Sequence, residues 1–460
     1  MALQRQYDVA IIGAGIAGIA TAYYVLQRDP AVRLVLIDAR EPMSYTSAQS
    51  GNNYRDWWPR SEMTALCERS IDLMADIAEQ TDNAIHMQRL GYALATRRDN
   101  IQEQLQGLTN SYRTQPHNIR LHERSPANAY IDSLQGDWQS DISGVDVLSD
   151  PAIIRQAFPA FSKEIKHVMH IRRAGDIDGQ QLGQFMLQAI KAAGGQRLRG
   201  RVQEIRRDKG YQLLVTTQQE AVKVNCERMV NAAGPMAGDI AGMLGIQLPI
   251  HNIYQQKITF EDTLGAVPRE QAFAIDIDPI KLPWSDEESV MLKQDPQLAW
   301  LSEQQIGGIH CRPDGSGRWI KLGWAFNRNR SEPNTDYEFQ DNPDHNEYFP
   351  EIVLRAAARL TPALQPYYEN LPSKLVHYGG YYSMTDENWP LIGPLDEHGA
   401  YMVAALSGFG TMAACAAAEL CTAWLYQDTL PQYAEPFSLR RYKNAALMAE
   451  LRAASDVGLL

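Results

Sequence analysis

Residues 7–38 constrain this chain more than any other stretch. Tyr7-Asp8-Val9-Ala10-Ile11-Ile12 reads as a short buried parallel strand. Gly13-Ala14-Gly15-Ile16-Ala17-Gly18 follows, and the pattern predicts a helix over residues 16–27. A second strand over 32–37 ends on Asp38, twenty residues beyond Gly18, with Ala39 and Arg40 next. Strand, glycine turn, helix, strand and terminal acid come in the order a dinucleotide site needs. Gly13 permits the tight turn, Gly15 removes a Cβ from the path of a pyrophosphate, and Gly18 lets helix and strand approach closely. The helix N-terminus offers unpaired N–H groups and a positive dipole end to phosphate. Asp38 can accept hydrogen bonds from ribose hydroxyls. The plainer alternative is a glycine-rich turn used only for packing.

Further along, residues 41–59 form a polar loop with Thr46, Ser47, Ser50, Gly51 and Asn52. Following the ribose-binding acid, it is expected to lie across the cofactor, and Arg55 is the first cation near it. Residues 61–80 read as an amphipathic helix, 180–193 as another, and 201–226 as a small meander. The next run, 228–235, is expected to be a separate strand that ends in Ala232-Ala233-Gly234, a second close backbone approach beside the cofactor. Residues 250–330 alternate strand-like runs with Pro- and Asp-rich turns, which suggests an antiparallel sheet walling a substrate site. Residues 331–346 read as an exposed excursion and 349–360 as a helix. A second glycine-rich strand-to-helix turn, Gly408-Phe409-Gly410-Thr411-Met412, opens an Ala-rich helix, and its N–H groups could hold a carbonyl or developing anion.

Composition narrows the partners. A chain of 460 residues allows two or three domains. The net charge of −12 argues against nucleic acid, while a local basic funnel for a small acid stays possible. Five cysteines without a CxxC spacing argue against a disulfide framework or a metal site and favour a reducing, cytoplasmic setting. No apolar run of about 20 residues appears, so no membrane span is expected.

Four segments then line up: Gly13 to Gly18 with Asp38, residues 175–179 before their helix, residues 229–234, and residues 385–393 with 407–410. As a set they resemble the FAD-dependent D-amino-acid oxidase superfamily, which includes glycine oxidase, sarcosine oxidase and D-arginine dehydrogenase. The resemblance implies an α/β fold: a discontinuous Rossmann-like FAD domain (residues 1–82, 172–245 and 376–460) joined to an antiparallel-sheet substrate domain (83–171 and 246–375). It implies adenine contacts from the backbone of Val202, the loop from Thr46 to Gly51 along the pyrophosphate and ring, and the Gly408–Met412 turn at the ring's carbonyl edge. Covalent relatives use a histidine or cysteine at places where this chain has Asn52, Asn53 and the Gly379 region, so noncovalent FAD is expected. Sarcosine oxidases carry a carboxylate-binding lysine where Met412 stands here. Arg55 or Arg312 could take over, because an arginine fork binds carboxylate bidentately. Lys321-Leu322-Gly323-Trp324 is similar to the segment whose lysine promotes reaction with oxygen.

The implied activity is oxidation of the C–N bond of a small amine or amino acid by hydride transfer to flavin N5, giving an imine that hydrolyses. Oxygen or a quinone or electron carrier would be the acceptor. Tyr54, Tyr254 and Tyr382 are candidate pocket-wall or hydrogen-bonding residues, each also readable as core. Two alternatives stand beside this one. They are oxidation of a 2-hydroxy acid or polyol, and a non-catalytic flavin-binding assembly protein.

Overall fold

The computed structural model describes residues 3–112, 118–123, 130–132, 137–333 and 341–453. Part of the expected excursion at 331–346, residues 334–340, lies outside them. At the centre of an eight-stranded sheet runs Leu3–Ile12, parallel to Leu34–Asp38 on one side and Ala221–Asn231 on the other. Alternation decides which way each side chain points. Val9 and Ile11 face a helical layer that includes Ile16–Arg28 and Gly410–Tyr426, while Ala10 and Ile12 face the meander side.

The meander corrects one expectation. Residues 221–231 form a single strand of 11 residues rather than two. Its first half pairs antiparallel with Tyr211–Thr216, and its whole length serves as the parallel neighbour of Leu3–Ile12. Asn225-Cys226-Glu227 looks like a break in sequence, but Cys226 points into the core and its polar neighbours point out. Ala400–Ala404 adds to the far side of Ala221–Asn231 and carries Leu391–Pro394 with it.

A second, nine-stranded sheet runs from Val376–Met384 through His251–Glu261, Trp319–Gly323, Ile309–Pro313 and Phe273–Asp276 to Tyr92–Thr96 and beyond. It is mixed rather than purely antiparallel, because Phe273–Asp276 pairs parallel with Tyr92–Thr96 and Ile119–His122 with Val145–Leu148. Val376–Met384, expected in the FAD domain, pairs along its own whole length with residues 251–259 of His251–Glu261. Its aromatic alternation matched either sheet, and only the pairing partner decided. One face of this sheet buries Ile258, Phe260, Ile320 and Leu322 against the helix Phe349–Leu360. The opposite face carries Gln255, Lys257, His310 and Tyr382. Among the described residues no helix is long and apolar enough to cross a membrane.

Candidate functional site

The first glycine turn is shaped by contacts that forbid side chains. Gly13 adopts φ +108°, and a Cβ there would stand 2.2 Å from the Ala232 carbonyl oxygen. A Cβ on Gly15 would meet only the Ser47 hydroxyl, at 3.0 Å. That hydroxyl accepts from the Ile16 N–H at 3.0 Å, which ties the Thr46–Gln49 turn to the helix N-terminus. Asp38 accepts from the N–H groups of Ala14 at 2.6 Å and Arg40 at 2.8 Å. Burial pushes its carboxyl pKa up, with these donors pulling the other way.

These elements enclose a cavity of about 410 Å³. Gly13, Ala14, Gly15, Ile16, Ala17, Asp38, Ala39, Arg40, Thr46 and Ser47 line it from the N-terminal segment. Val202, Ala232, Ala233, Gly234 and Gly410 line it from the later ones. Gly18 lies beneath the turn instead. Val202 adjoins a register shift in the Arg201–Arg207 ladder, where Gln203 drops out of pairing. The Thr46 hydroxyl is buried in this wall without a hydrogen-bond partner among the described residues. A glycine cradle, a helix N-terminus, a buried acid and an orphaned hydroxyl fit a dinucleotide such as FAD. No cysteine lines this cavity or its neighbour, and all five are free and buried.

A second cavity of about 100 Å³ adjoins the first, and Ser407 lines both. Ser50, Gly51, Asn52, Gly408, Phe409, Thr411 and Met412 face this cavity, not the first. Ser50 and Thr411 share a hydroxyl hydrogen bond of 2.9 Å, which closes the early loop onto the late turn. Backbone strain gathers here: Asn52, Ala405 and Ser407 hold φ +58°, +55° and +48°. Left-handed backbone at non-glycine residues is costly and is held only where the surroundings enforce it.

Two of the six expected substrate-side residues line this cavity. Arg55 is 2% exposed and stacks over Trp58 at 4.2 Å and Tyr92 at 5.7 Å. Tyr382 presents its ring, beneath which Gly408 needs to lack a Cβ.

The other four are elsewhere. Arg312 faces the right way but is spent on protein. It donates to the Gly51 carbonyl at 2.9 Å and pairs with Asp314 at 3.1 Å and Asp176 at 3.6 Å. It braces the loop and leaves no fork for a substrate carboxylate. Lys321 pairs with Asp314 at 3.2 Å, and burial pushes its pKa down to about 8. Tyr54 donates to the Gln88 carbonyl at 2.8 Å inside the core. Tyr254 packs against Tyr381 on the opposite face of its strand.

Sequence reasoning missed Lys257. It lines the cavity from His251–Glu261, is 6% exposed, and sets its ammonium 5.4 Å from the centre of the Tyr382 ring. No hydrogen bond or ion pair reaches that ammonium from the described residues. The signal was present: strand alternation puts Gln255 and Lys257 on the face opposite Ile258 and Phe260. His310, also on this cavity, bonds the Gly308 carbonyl through Nδ1 at 3.0 Å. A carbonyl can only accept, so Nδ1 carries the proton. Burial pushes the His310 pKa down to about 4, so the ring is neutral. Asn52, Asn53 and Asn388 line the cavity too, each with a buried side-chain oxygen that no described residue satisfies.

The family described as DAO, FAD dependent oxidoreductase, matches residues 8–424. No curated protein matches the chain in sequence. Among solved structures, L-proline dehydrogenase from P. horikoshii is similar at 17% identity and TM-score 0.68, over 96% of this chain and 99% of that one. Glycine oxidase from Geobacillus kaustophilus is similar at 16% identity and TM-score 0.66, over 95% and 99%. Iminodiacetate oxidase from a Chelativorans species is similar at 15% identity and TM-score 0.63, over 94% and 98%. At such identities the likeness concerns the fold.

Proposed function

The chain belongs to the DAO family of FAD-dependent oxidoreductases, and on that premise we propose that it oxidises the C–N bond of a small amino acid or related amine. The observation that carries this reading is the chemistry of the second cavity. A buried arginine stacked on Trp58 stands with Asn52, Asn53 and Asn388, whose side-chain oxygens no described residue satisfies, against the cavity that fits the cofactor. Arginine suits a carboxylate, and amide oxygens suit the N–H groups of an amine.

FAD held in the first cavity would supply the hydride acceptor for the substrate carbon. The protein's part is placement and exclusion of water. Arg55 holds the carboxylate, and its ring contacts fix the guanidinium plane. The Asn53 and Asn388 oxygens receive the amine N–H groups, which turns the intervening C–H toward the cofactor cavity. Tyr92, Phe273 and Tyr382 wall the site against solvent. Among the described residues no carboxylate side chain lines the cavity, and in this reading the amine enters in its neutral form, its proton already lost to water.

The geometry moves the cavity lysine from Lys321 to Lys257, so the case for oxygen as acceptor no longer rests on residue 321. Anaerobic mixing of the holoenzyme with a panel of amino acids and 2-hydroxy acids tests the reading. Bleaching of the flavin by amines is expected, followed by an imine-derived carbonyl product. Bleaching by hydroxy acids alone would replace C–N with C–O oxidation. Readmission of oxygen then reports the acceptor by the presence or absence of peroxide.

A further inference from the structure

Asn388 reaches the second cavity from a tight turn, and a residue far along the chain grips that turn. Asn388 holds φ +57°, lines the cavity, and has a side-chain oxygen that no described residue satisfies. Its N–H donates to the Thr385 carbonyl at 3.0 Å. The Thr385 hydroxyl accepts from the Trp389 N–H and donates to the Trp389 carbonyl, each at 3.0 Å. Left-handed backbone is costly away from glycine, and asparagine tolerates it better than most residues.

Arg441 belongs to the short helical turn Leu439–Lys443 and is fully buried. It holds both flanks of Asn388. It donates to one Glu387 carboxylate oxygen at 2.9 Å through Nε and at 2.5 Å through Nη2. It also donates to the Trp389 carbonyl at 3.0 Å and the Pro390 carbonyl at 2.6 Å. Its last N–H goes to the Pro436 carbonyl at 3.0 Å, so every guanidinium donor is used within the protein. Glu387 is 2% exposed, and the Tyr442 hydroxyl donates to the same oxygen at 2.6 Å. The Trp389 ring packs on Phe437, with centroids 5.3 Å apart. Residues 387, 389 and 390 are thus tied to the C-terminal segment, while Asn388 between them lines the cavity.

We propose that Arg441 is a positioning residue of the substrate site: its grip on Glu387, Trp389 and Pro390 holds residue 388 in the left-handed conformation that keeps the Asn388 amide at the cavity, where it binds the amine. The inference rests on the C–N oxidation reading and adds how an amine-binding residue is held in place. A buried ion pair is often replaceable by apolar packing at little cost in stability, so the single conformation it selects is the better account of it. The planar arginine fork meets a carboxylate and two carbonyls at once, and a lysine ammonium lacks that fixed geometry.

A double-mutant cycle tests this. Asn388→Gly removes the amide and keeps a left-handed turn free of strain. Arg441→Lys keeps the charge and loses the fork. In anaerobic flavin reduction by the best amino acid, each single variant is expected to lower kcat/KM by about tenfold, and the double variant by about tenfold as well, because Arg441 acts through residue 388. FAD content reports that each variant is folded. Should Arg441→Lys not fold, Glu387→Gln takes its place and loosens the grip from the other side. Losses that multiply to about 100-fold overturn the inference, as does a clamp variant that melts earlier but reduces its flavin at the wild-type rate. The crystal structure of the clamp variant reads the turn without turnover: residue 388 is expected to leave the left-handed region, and an unchanged turn overturns the inference. If 2-hydroxy acids bleach the flavin and amines do not, the C–N reading falls, and the same cycle with the hydroxy acid still decides the inference. If nothing bleaches it, the C–N reading falls and the crystal structure decides alone. If amines bleach it and the losses multiply, the inference falls and the C–N reading stands.

Discussion

Gly18 sits so close to Gly13 that a Cβ on it would lie 1.9 Å from the Gly13 carbonyl oxygen. Gly15, three residues earlier, is crowded by nothing nearer than the Ser47 hydroxyl at 3.0 Å. The two glycines therefore serve different ends, and substitution separates them. Gly18→Ala strains the protein itself, with a cost of about 1–3 kcal/mol as for other overpacked sites. Its apo melting temperature falls. Gly15→Ala leaves the apo melting temperature nearly unchanged and weakens FAD binding by ~10-fold or more, about 1.4 kcal/mol. Equal melting losses in the two variants would contradict this division.

Arg55→Lys keeps the charge and loses the planar fork and its stacking on Trp58. The expected outcome is a fall in kcat/KM of about 100-fold, near 2.7 kcal/mol, with stoichiometric FAD retained. Stopped-flow reduction and the flavin absorbance of the purified variant read the two effects. Unchanged kinetics would remove Arg55 from the substrate site.

Arg312→Ala acts on the cofactor loop. It removes the donor to the Gly51 carbonyl and strips Asp176 and Asp314 of a buried cation. Breaking such a pair from one side costs several kcal/mol, about 3–5 where burial is complete. Thermal stability and FAD affinity should both fall. A variant that keeps its FAD affinity and melting point while losing substrate binding would return Arg312 to the role of carboxylate anchor.

Acid sensitivity should trace partly to His310. Its folded pKa lies near 4, below the ordinary value of 6.5. Between those values the unfolded chain binds a proton that the folded chain refuses, so stability falls as pH drops from about 6.5 toward 4 and is fully present above. Melting curves for wild type and His310→Gln should therefore converge in slope above pH 6.5, with the wild type declining more steeply below it. Parallel decline would assign the acid sensitivity to other groups, among which the buried His170, with its pKa pushed down to about 3, is next.

Lys321→Met should leave the rate of flavin reoxidation by oxygen within about twofold, because its ammonium is committed to Asp314 and lines neither cavity. Rapid mixing of the reduced enzyme with oxygenated buffer measures this. A tenfold slowing, about 1.4 kcal/mol, would mean that its charge reaches the reacting centre after all.

The short-range pattern made much of the cofactor side legible. Residues 13–18 and Asp38 belong to one strand–helix–strand unit, and local sequence is enough to read such a unit. The helices Ser61–Gln80 and Phe349–Leu360 were readable in the same way, because their apolar periodicity lies within the element. The substrate side resisted. Arg55, Arg312 and Lys321 are all buried cations near the cavities, and nothing local distinguishes the one that lines a cavity from the two consumed by Asp314. Tyr254 and Tyr382 lie on paired strands, yet only Tyr382 turns toward the cavity, because neighbouring residues on a strand alternate faces.

By itself, then, the amino-acid order determined a nucleotide-binding opening, its acid, and a closing glycine turn, because each depends on contacts a few residues apart. Tertiary structure decided which cations face the second cavity. That choice depends on pairing across the sheet and on where the partners of Arg312 and Lys321 happen to lie, and a charge in the chain carries no local mark of whether the fold has already neutralised it.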